Sequence, residues 1–346
     1  MKFLGSELLR YLTERVMEEE SIMRHARSYL LLVGGMLLCL GAFAQQKIVI
    51  GISTDAGFSN RKVEVMGLYA RAKENPDVQV VEQNADNDST KQIEQIKSMV
   101  DQGVAAIVVC AVDMNTVQTA LDYAGQKNVM VVTYDRFVDN PAVKFFGGYD
   151  SYTDGMKCGQ AILKLDDGKE HVVFELVGAL ADTNAIARRD GFHKAVDTHK
   201  NLKVVQILTD WATDKALSGM ENALQKYPNV WAVFCASSHM DGSIATALRE
   251  VGRLKTVGQP GHVILVSIES GPPGLRLLED GYTDVYMVIS MDEMGSKIYD
   301  AVMNYAQGKP LPSPKFYCPS FPVTSSEFDK RKGDIYEWKY KELFIQ

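Results

Sequence analysis

From Lys47 onward the chain alternates short apolar runs rich in Val and Ile with longer amphipathic stretches. This is the pattern of an α/β protein whose parallel strands are joined through helices. Ten runs read as strands. KIVIGIST, VQVVEQN, AAIVVCA, VMVVTYD and VKFFGGYD begin at residues 47, 78, 105, 129 and 143; HVVFELVG, LKVVQILTD, VWAVFCAS, HVILVSIE and VYMVIS begin at 171, 202, 230, 262 and 285. Most are continuously apolar, as strands covered on both faces must be. Between them, Ser89 and Gln92 have capping-box spacing, Ile93, Ile96 and Val100 fall on one helical face, and Gly103 follows as a stop. The segments SYTDGMKCGQAIL and MDEMGSKIYDAVMNYAQGKP read as further helices, the second ended by Gly308 and Pro310. Ten such strands exceed one compact open sheet, so the pattern predicts two sheets. The division falls near Tyr149-Asp150, where no flexible linker intervenes. From Lys309 the chain turns rich in Pro and Ser and reads as extended or loop-like.

Upstream, Arg24, His25 and Arg27 precede the apolar run YLLLVGGMLLCLGAF, and Ala42-Phe43-Ala44 follows. This is the order of a secretory signal peptide over 23–44, cleaved after Ala44 and directing the mature chain to the periplasm. The run is too short to span a bilayer comfortably, so no stable membrane insertion is expected after cleavage. Leu38 before Cys39 argues against lipidation. Residues 1–22 carry a Glu run ahead of the basic region and fit no signal peptide, which marks Met23 as the expected start.

Of the 346 residues, 46% are hydrophobic and 23% charged, which predicts a folded chain rather than a disordered one. The formal net charge is -7 and the Lys and Arg residues are scattered, so nucleic acid is not an expected partner. Cys39 leaves with the signal. Cys110, Cys158, Cys235 and Cys318 are widely separated, with no CxxC and no nearby His pair, and read as buried thiols rather than a metal site. No GxGxxG follows the first strand, and GxSxG, P-loop and HExxH motifs are absent. Ser237-Ser238-His239 sets a nucleophile type beside a base type, but adjacency in sequence is not triad geometry. Neither catalysis nor a cofactor is expected.

Ligands of parallel α/β sheets bind at the carboxyl ends of strands. The residues standing there are Asp135 and Arg136, Asp182 and Asn184, Trp211, Ser237 with Ser238 and His239, and Glu269. In the loop after the first strand, Asp55, Phe58, Asn60 and Arg61 are candidate lip residues; Asp113 reads as a helix cap. The inventory suits a sugar. Each hydroxyl donates and accepts, so its site needs a carboxylate beside a guanidinium and an amide, and an indole can cover the apolar ring face.

At these residues the chain resembles the periplasmic pentose- and hexose-binding proteins, above all those for xylose and ribose, from about Lys47 to about Gly308. The likeness is carried by QIEQIKSMVDQGVAAIVVCAVD with ALDYAGQKNVMVVTYDRFV, by ADTNA followed by RDGF, and by LTDWATDKALSGMENAL. It implies two Rossmann-like lobes joined by a hinge of several crossings, the type I periplasmic binding protein or Venus-flytrap fold. The N-terminal lobe would be 47–150 plus about 290–315, the C-terminal lobe 151–289, with 316–346 returning across the hinge. It further implies a monosaccharide trapped between the lobes, with Asp135 and Arg136 on its hydroxyls, Asn184 from the second lobe and Trp211 on its ring. The partner would be an ABC transporter permease; a membrane histidine kinase or chemoreceptor is the alternative. A sugar-responsive transcription regulator shares the fold, but residues 1–46 do not read as a helix-turn-helix. The chain departs from the family pattern at Ser237-Ser238, usually Asn-Asp, at Glu269, usually Asp, and at Ile289, usually Gln or Lys.

Overall fold

All ten apolar runs form strands. The computed structural model describes residues 47–339 except Phe58, Ser270 and Pro312, together with Met17 and Met23. The expected extension at 1–22 and signal peptide at 23–44, those two methionines apart, lie outside the described residues, as does 340–346. The strands are β1 (Ile48–Thr54), β2 (Val78–Asn84), β3 (Ala106–Val109), β4 (Met130–Asp135) and β5 (Val143–Gly148), then β6 (His171–Val177), β7 (Leu202–Leu208), β8 (Ala232–Cys235), β9 (Ile264–Ile268) and β10 (Val285–Ile289). The Pro- and Ser-rich tail adds two more, β11 (Lys315–Tyr317) and β12 (Ser320–Thr324), which its composition hides.

Two six-stranded sheets result, ordered β11-β5-β4-β3-β1-β2 and β12-β10-β9-β8-β6-β7. All pairings are parallel except that of β12 with β10. Each sheet with its helices is one Rossmann-like lobe of a type I periplasmic binding protein fold. Three passages join the sheets: β5 into the helix Ser151–Leu163, β10 into the helix Met294–Ala306, and β11 into β12. Short strand pairs at the tail thus tie both sheets into the hinge.

The helices are α1 (Ser59–Glu74), α2 (Ser89–Asp101), α3 (Gln118–Gln126), α4 (Ser151–Leu163), α5 (Thr183–Val196), α6 (Thr213–Lys226), α7 (Asp241–Glu250), α8 (Pro272–Glu279), α9 (Met294–Ala306), α10 (Phe328–Arg331) and α11 (Tyr336–Lys339). None among the described residues is long and apolar enough to cross a membrane. The capping box expected at Ser89 and Gln92 is not formed. Asp88 caps α2 instead, accepting from the amides of Thr90 and Lys91. Gln92 lies one turn in, on the sheet-facing side, where it is buried and donates to the Cys110 carbonyl (2.8 Å) while accepting from the Val112 amide (2.8 Å). It therefore braces the end of β3. Ile96 and Val100 are buried as the periodicity predicts, and Ile93 partly so. Asp113, expected as a helix cap, instead closes the turn ahead of α3, accepting from the amides of Asn115 and Thr116, while Val117 stands at the N-cap without a side-chain bond. Cys110, Cys158, Cys235 and Cys318 are buried free thiols.

Backbone contact rather than side-chain interdigitation sets the closest helix packing. A Cβ on Gly155 of α4 would stand 2.0 Å from the Arg188 carbonyl oxygen, and one on Gly191 of α5 would stand 2.0 Å from that of Tyr152. Gly67 and Gly295 let α1 and α9 meet in the same way in the first lobe. Because α5 carries Asn184 and Arg188, the seat it gains against α4 positions both. Gly191→Ala is expected to lower stability by about 1–3 kcal/mol through overpacking, read as a fall in urea midpoint at constant m. Gly333→Ala, where a Cβ meets nothing within 4 Å, should stay within about 0.5 kcal/mol of the parent.

Candidate functional site

The carboxyl ends of the two sheets face a common cavity of about 350 Å³. At three of those ends the chain adopts left-handed backbone with residues other than glycine: Asp135 (φ 59°) after β4, Asp210 and Trp211 (φ 50° and 63°) after β7, and Glu269 (φ 79°) after β9. Such conformations cost on the order of 1–3 kcal/mol each and persist where surrounding contacts over-determine them. Here they turn a carboxylate, an indole and a second carboxylate into the gap. Besides Ser238, ten of the residues singled out from the sequence line the cavity: Asn60, Arg61, Asp135, Arg136, Asp182, Asn184, Trp211, Ser237, His239 and Glu269. Phe58 lies outside the described residues.

On the first-lobe side the polar groups form one buried network. Arg61 donates from Nε to Asp55 Oδ1 (2.7 Å), from Nη2 to Asp55 Oδ2 (3.1 Å) and from Nη1 to both oxygens of Glu64 (3.0 Å each), and it pairs with Asp135 Oδ2. Arg136 reaches Asp55 Oδ2 (2.9 Å), Asp182 Oδ2 (2.7 Å) and the Ala111 carbonyl (2.6 Å). Arg61 was expected on the lip. It is only 5% exposed, because Asp55, Glu64 and Asp135 draw it inward. Asp55, the other lip candidate, is wholly buried beneath it.

Two guanidiniums thus serve four carboxyls, and the titration of the group is uneven. Burial raises Asp55, but Arg61 and Arg136 outweigh it and bring the carboxyl down to about 2. Burial dominates at Glu64, which is pushed up to about 8 despite Arg61 and despite the hydrogen bond donated by Tyr149 Oη (2.6 Å). Asp135 is likewise raised, by burial first. Arg61 and Arg136 stay charged, since the carboxylates around them more than offset their burial.

The second lobe supplies the other wall and the bridges. Asp182 caps α5 by accepting from the Asn184 amide (2.8 Å), and its Oδ2 accepts from Trp211 Nε1 (3.0 Å) besides meeting Arg136. Asn184 is not spent on capping. Its Nδ2 donates to Asp135 Oδ1 (2.8 Å) and to the Asp135 carbonyl (3.1 Å), while Oδ1 accepts from Ser151 Oγ (2.8 Å). Thr183 Oγ1 donates across to the Phe137 carbonyl (3.1 Å). The Trp211 indole lies on Gly178 at the end of β6, where any Cβ would stand 2.2 Å from the ring. Ser237 Oγ contacts His239 Nδ1 (2.8 Å) and Glu269 Oε2, and His239 Nε2 meets the Trp211 carbonyl (2.9 Å). The acid therefore holds the serine instead of orienting the histidine. This is a polar wall, not a nucleophile relay.

Arg188 is the principal cavity residue that the sequence reading missed. It is 1% exposed and donates from Nη1 to Glu269 Oε1 (2.8 Å) and the Ala236 carbonyl (2.8 Å). Burial pushes Glu269 up, but Arg188 and the Ser237 hydroxyl outweigh it and leave the carboxyl below the ordinary range. The available signal was spacing: Arg188 stands four residues after Asn184 and shares its helix face. Ile289, the departure noted near the second crossing, is fully buried in the core, and Met291 lines the cavity instead. Ser238, Gly271, Pro272, Pro273 and Arg276 complete the lining.

The raised Glu64 makes stability depend on pH. Between the ordinary value of 4.5 and about 8 the folded chain holds a proton that the unfolded chain has released, so this group's contribution is full below pH 4.5 and lost as pH rises through 8. Glu64→Gln keeps the neutral form. It is expected to flatten the decline in urea-unfolding free energy between pH 5 and 8, and an unchanged slope would count against a protonated Glu64.

The comparisons with known proteins agree with this architecture. Over 244 residues the chain is 27% identical to the ribose import binding protein of Bacillus subtilis (strain 168), covering 70% of this chain and 76% of that one. It is 26% identical over 264 residues to the D-xylose-binding periplasmic protein of Haemophilus influenzae, covering 75% and 77%. Among solved structures, the fructose-binding periplasmic domain of a hybrid two-component system superposes with a TM-score of 0.75 at 23% identity, over 85% of this chain and 97% of that one. The model of the periplasmic binding protein domain matches residues 53–310, and the chain belongs to that family.

Proposed function

We propose that the protein captures a monosaccharide, a pentose or hexose of the xylose or ribose kind, between its two lobes in the periplasm and delivers it to an ABC transporter. The observation that carries this reading is the composition of the cavity wall: carboxylates, guanidiniums and an amide converge from both sheets beside an indole seated on Gly178. A polyol matches the polar groups, and the C–H face of a pyranose or furanose matches the indole. The named ligands of the ribose- and xylose-binding relatives support the same class. In this reading Asp135, Arg136 and Asn184 take hydroxyls, Trp211 covers the ring, and Asp182, Ser237, His239, Glu269, Asn60 and Arg61 shape or hold the site. Phe58 is proposed as a lip residue.

Closure over the ligand excludes water from both of its faces, which strengthens each hydrogen bond and couples occupancy to lobe position. The contacts of Asn184 with Asp135 and of Arg136 with Asp182 span the lobes, so a ligand beside them sits where it can tip that balance. A partner then reads the closed surface. Delivery to a permease is the first reading. Sensing is the second, since the same fold serves a two-component system in a protein of known structure. No chemical step on the ligand is proposed.

Isothermal titration against neutral pentoses, hexoses and their acids should yield at least one one-to-one binder. Trp211→Ala should weaken that binder by about 1–3 kcal/mol, roughly five- to a hundredfold, through loss of the buried ring contact. Silence across the whole panel would remove the reading. To separate its two forms, the ligand-loaded protein is used as bait on membranes of the source cells: a permease in the eluate supports transport, a histidine kinase or chemoreceptor supports sensing.

A further inference from the structure

We infer that the sugar is an acid: the cavity is arranged for a monosaccharide ring carrying a carboxylate, a uronate, with Arg276 as the residue that selects it. This deepens the sugar-binding reading and rests on it. Open hydrogen-bonding capacity in the cavity lies mainly with donors. Both oxygens of each carboxylate lining the cavity already accept from protein donors: Asp135 from Asn184 and Arg61, Asp182 from the Asn184 amide and Trp211, Glu269 from Arg188 and Ser237. Each of these carboxylate oxygens thus already holds a protein donor, and hydroxyls can reach only its remaining lone pairs.

The cavity's donors are less engaged. Arg276, exposed on α8 at the cavity wall, makes no side-chain hydrogen bond or ion pair among the described residues. Arg188 uses Nη1 alone; its buried Nε and Nη2 have no hydrogen-bond partner. Both arginines belong to the second lobe, on the same side as Trp211, so the unmet demand is concentrated on one wall. A neutral hydroxyl can accept one bond from such a donor, whereas a carboxylate takes the two parallel bonds of a guanidinium fork and supplies the opposite charge. A ligand with a ring for Trp211 and a carboxylate for Arg276 fits both features of that wall.

The test is calorimetry of the intact protein with D-glucuronate and D-galacturonate beside glucose, galactose, xylose and ribose, at low and high salt. At least one acid should bind about tenfold or more tightly than its neutral parent, with an advantage that shrinks as salt is added. Arg276→Gln should cut the acid's affinity about tenfold and remove the salt dependence, with Arg276→Lys retaining part of both. Its melting temperature should match the parent's, because the side chain is exposed. A neutral sugar that binds as tightly as its acid overturns the inference and leaves the sugar reading standing, as does an acid affinity indifferent to Arg276→Gln. Binding of none of these compounds overturns both.

Discussion

The structure depends on how buried arginines are shared among buried carboxyls. Placing an ion in the interior costs several kcal/mol unless partners and hydrogen bonds replace the water it leaves. Arg61 and Arg136 meet that requirement only by standing between groups from several elements: Asp55 from the end of β1, Glu64 from α1, Asp135 from the end of β4 and Asp182 from the start of α5. The last of these lies in the other lobe. The network that makes the first lobe's charges tolerable is therefore completed from across the cleft, and the cavity forms beside that junction. Glu64 resolves the excess of acid by keeping its proton.

The two lobes repeat one plan. In each, the first strand is flanked by the second and third, and the helix after the first strand carries Asn at its second position, Asn60 in α1 and Asn184 in α5. In each, the strand next along ends in an acid with left-handed backbone, Asp135 and Glu269, held by an arginine from that helix, Arg61 and Arg188. Four residues beyond the asparagine the plan diverges: Glu64 in one lobe, Arg188 in the other. Tyr149, at the first crossing, meets both, donating to Glu64 and lying 5.9 Å from the Arg188 guanidinium. The repeat supplies the geometry of a two-sided site, and the divergence sets a protonated acid behind one wall and an arginine in the other.

Much of this was legible in the chain itself. The apolar runs located ten strands, because a strand covered on both faces has to be apolar along its length. Their carboxyl ends named eleven residues that now line one cavity, because parallel sheets deliver their loops to one edge. Where local pattern misled, a competing tertiary demand explains it. Ser89 and Gln92 have the spacing of a capping box, but Gln92 faces the sheet and satisfies the backbone at the end of β3. Arg61 looked like a lip residue in a polar loop, yet three carboxyls draw it inside. The tail reads as extended or loop-like from its prolines and serines; it is extended at β11 and β12, and only the fold decides that each pairs with an edge strand of a different sheet.

What the sequence determined by itself was periodicity and the order of elements, since these follow from which faces each segment has to bury. It also placed polar residues at strand ends, where neither helix nor sheet periodicity requires them. Tertiary structure alone decided which of those groups are spent on each other and which remain open. Asp135, Asp182 and Glu269 are engaged within the protein, whereas Arg276, at the cavity wall, has no side-chain partner among the described residues. Hydrogen bonds and ion pairs between segments 49 or 81 residues apart, such as Asn184 with Asp135 and Arg188 with Glu269, depend on distances that only the folded chain sets.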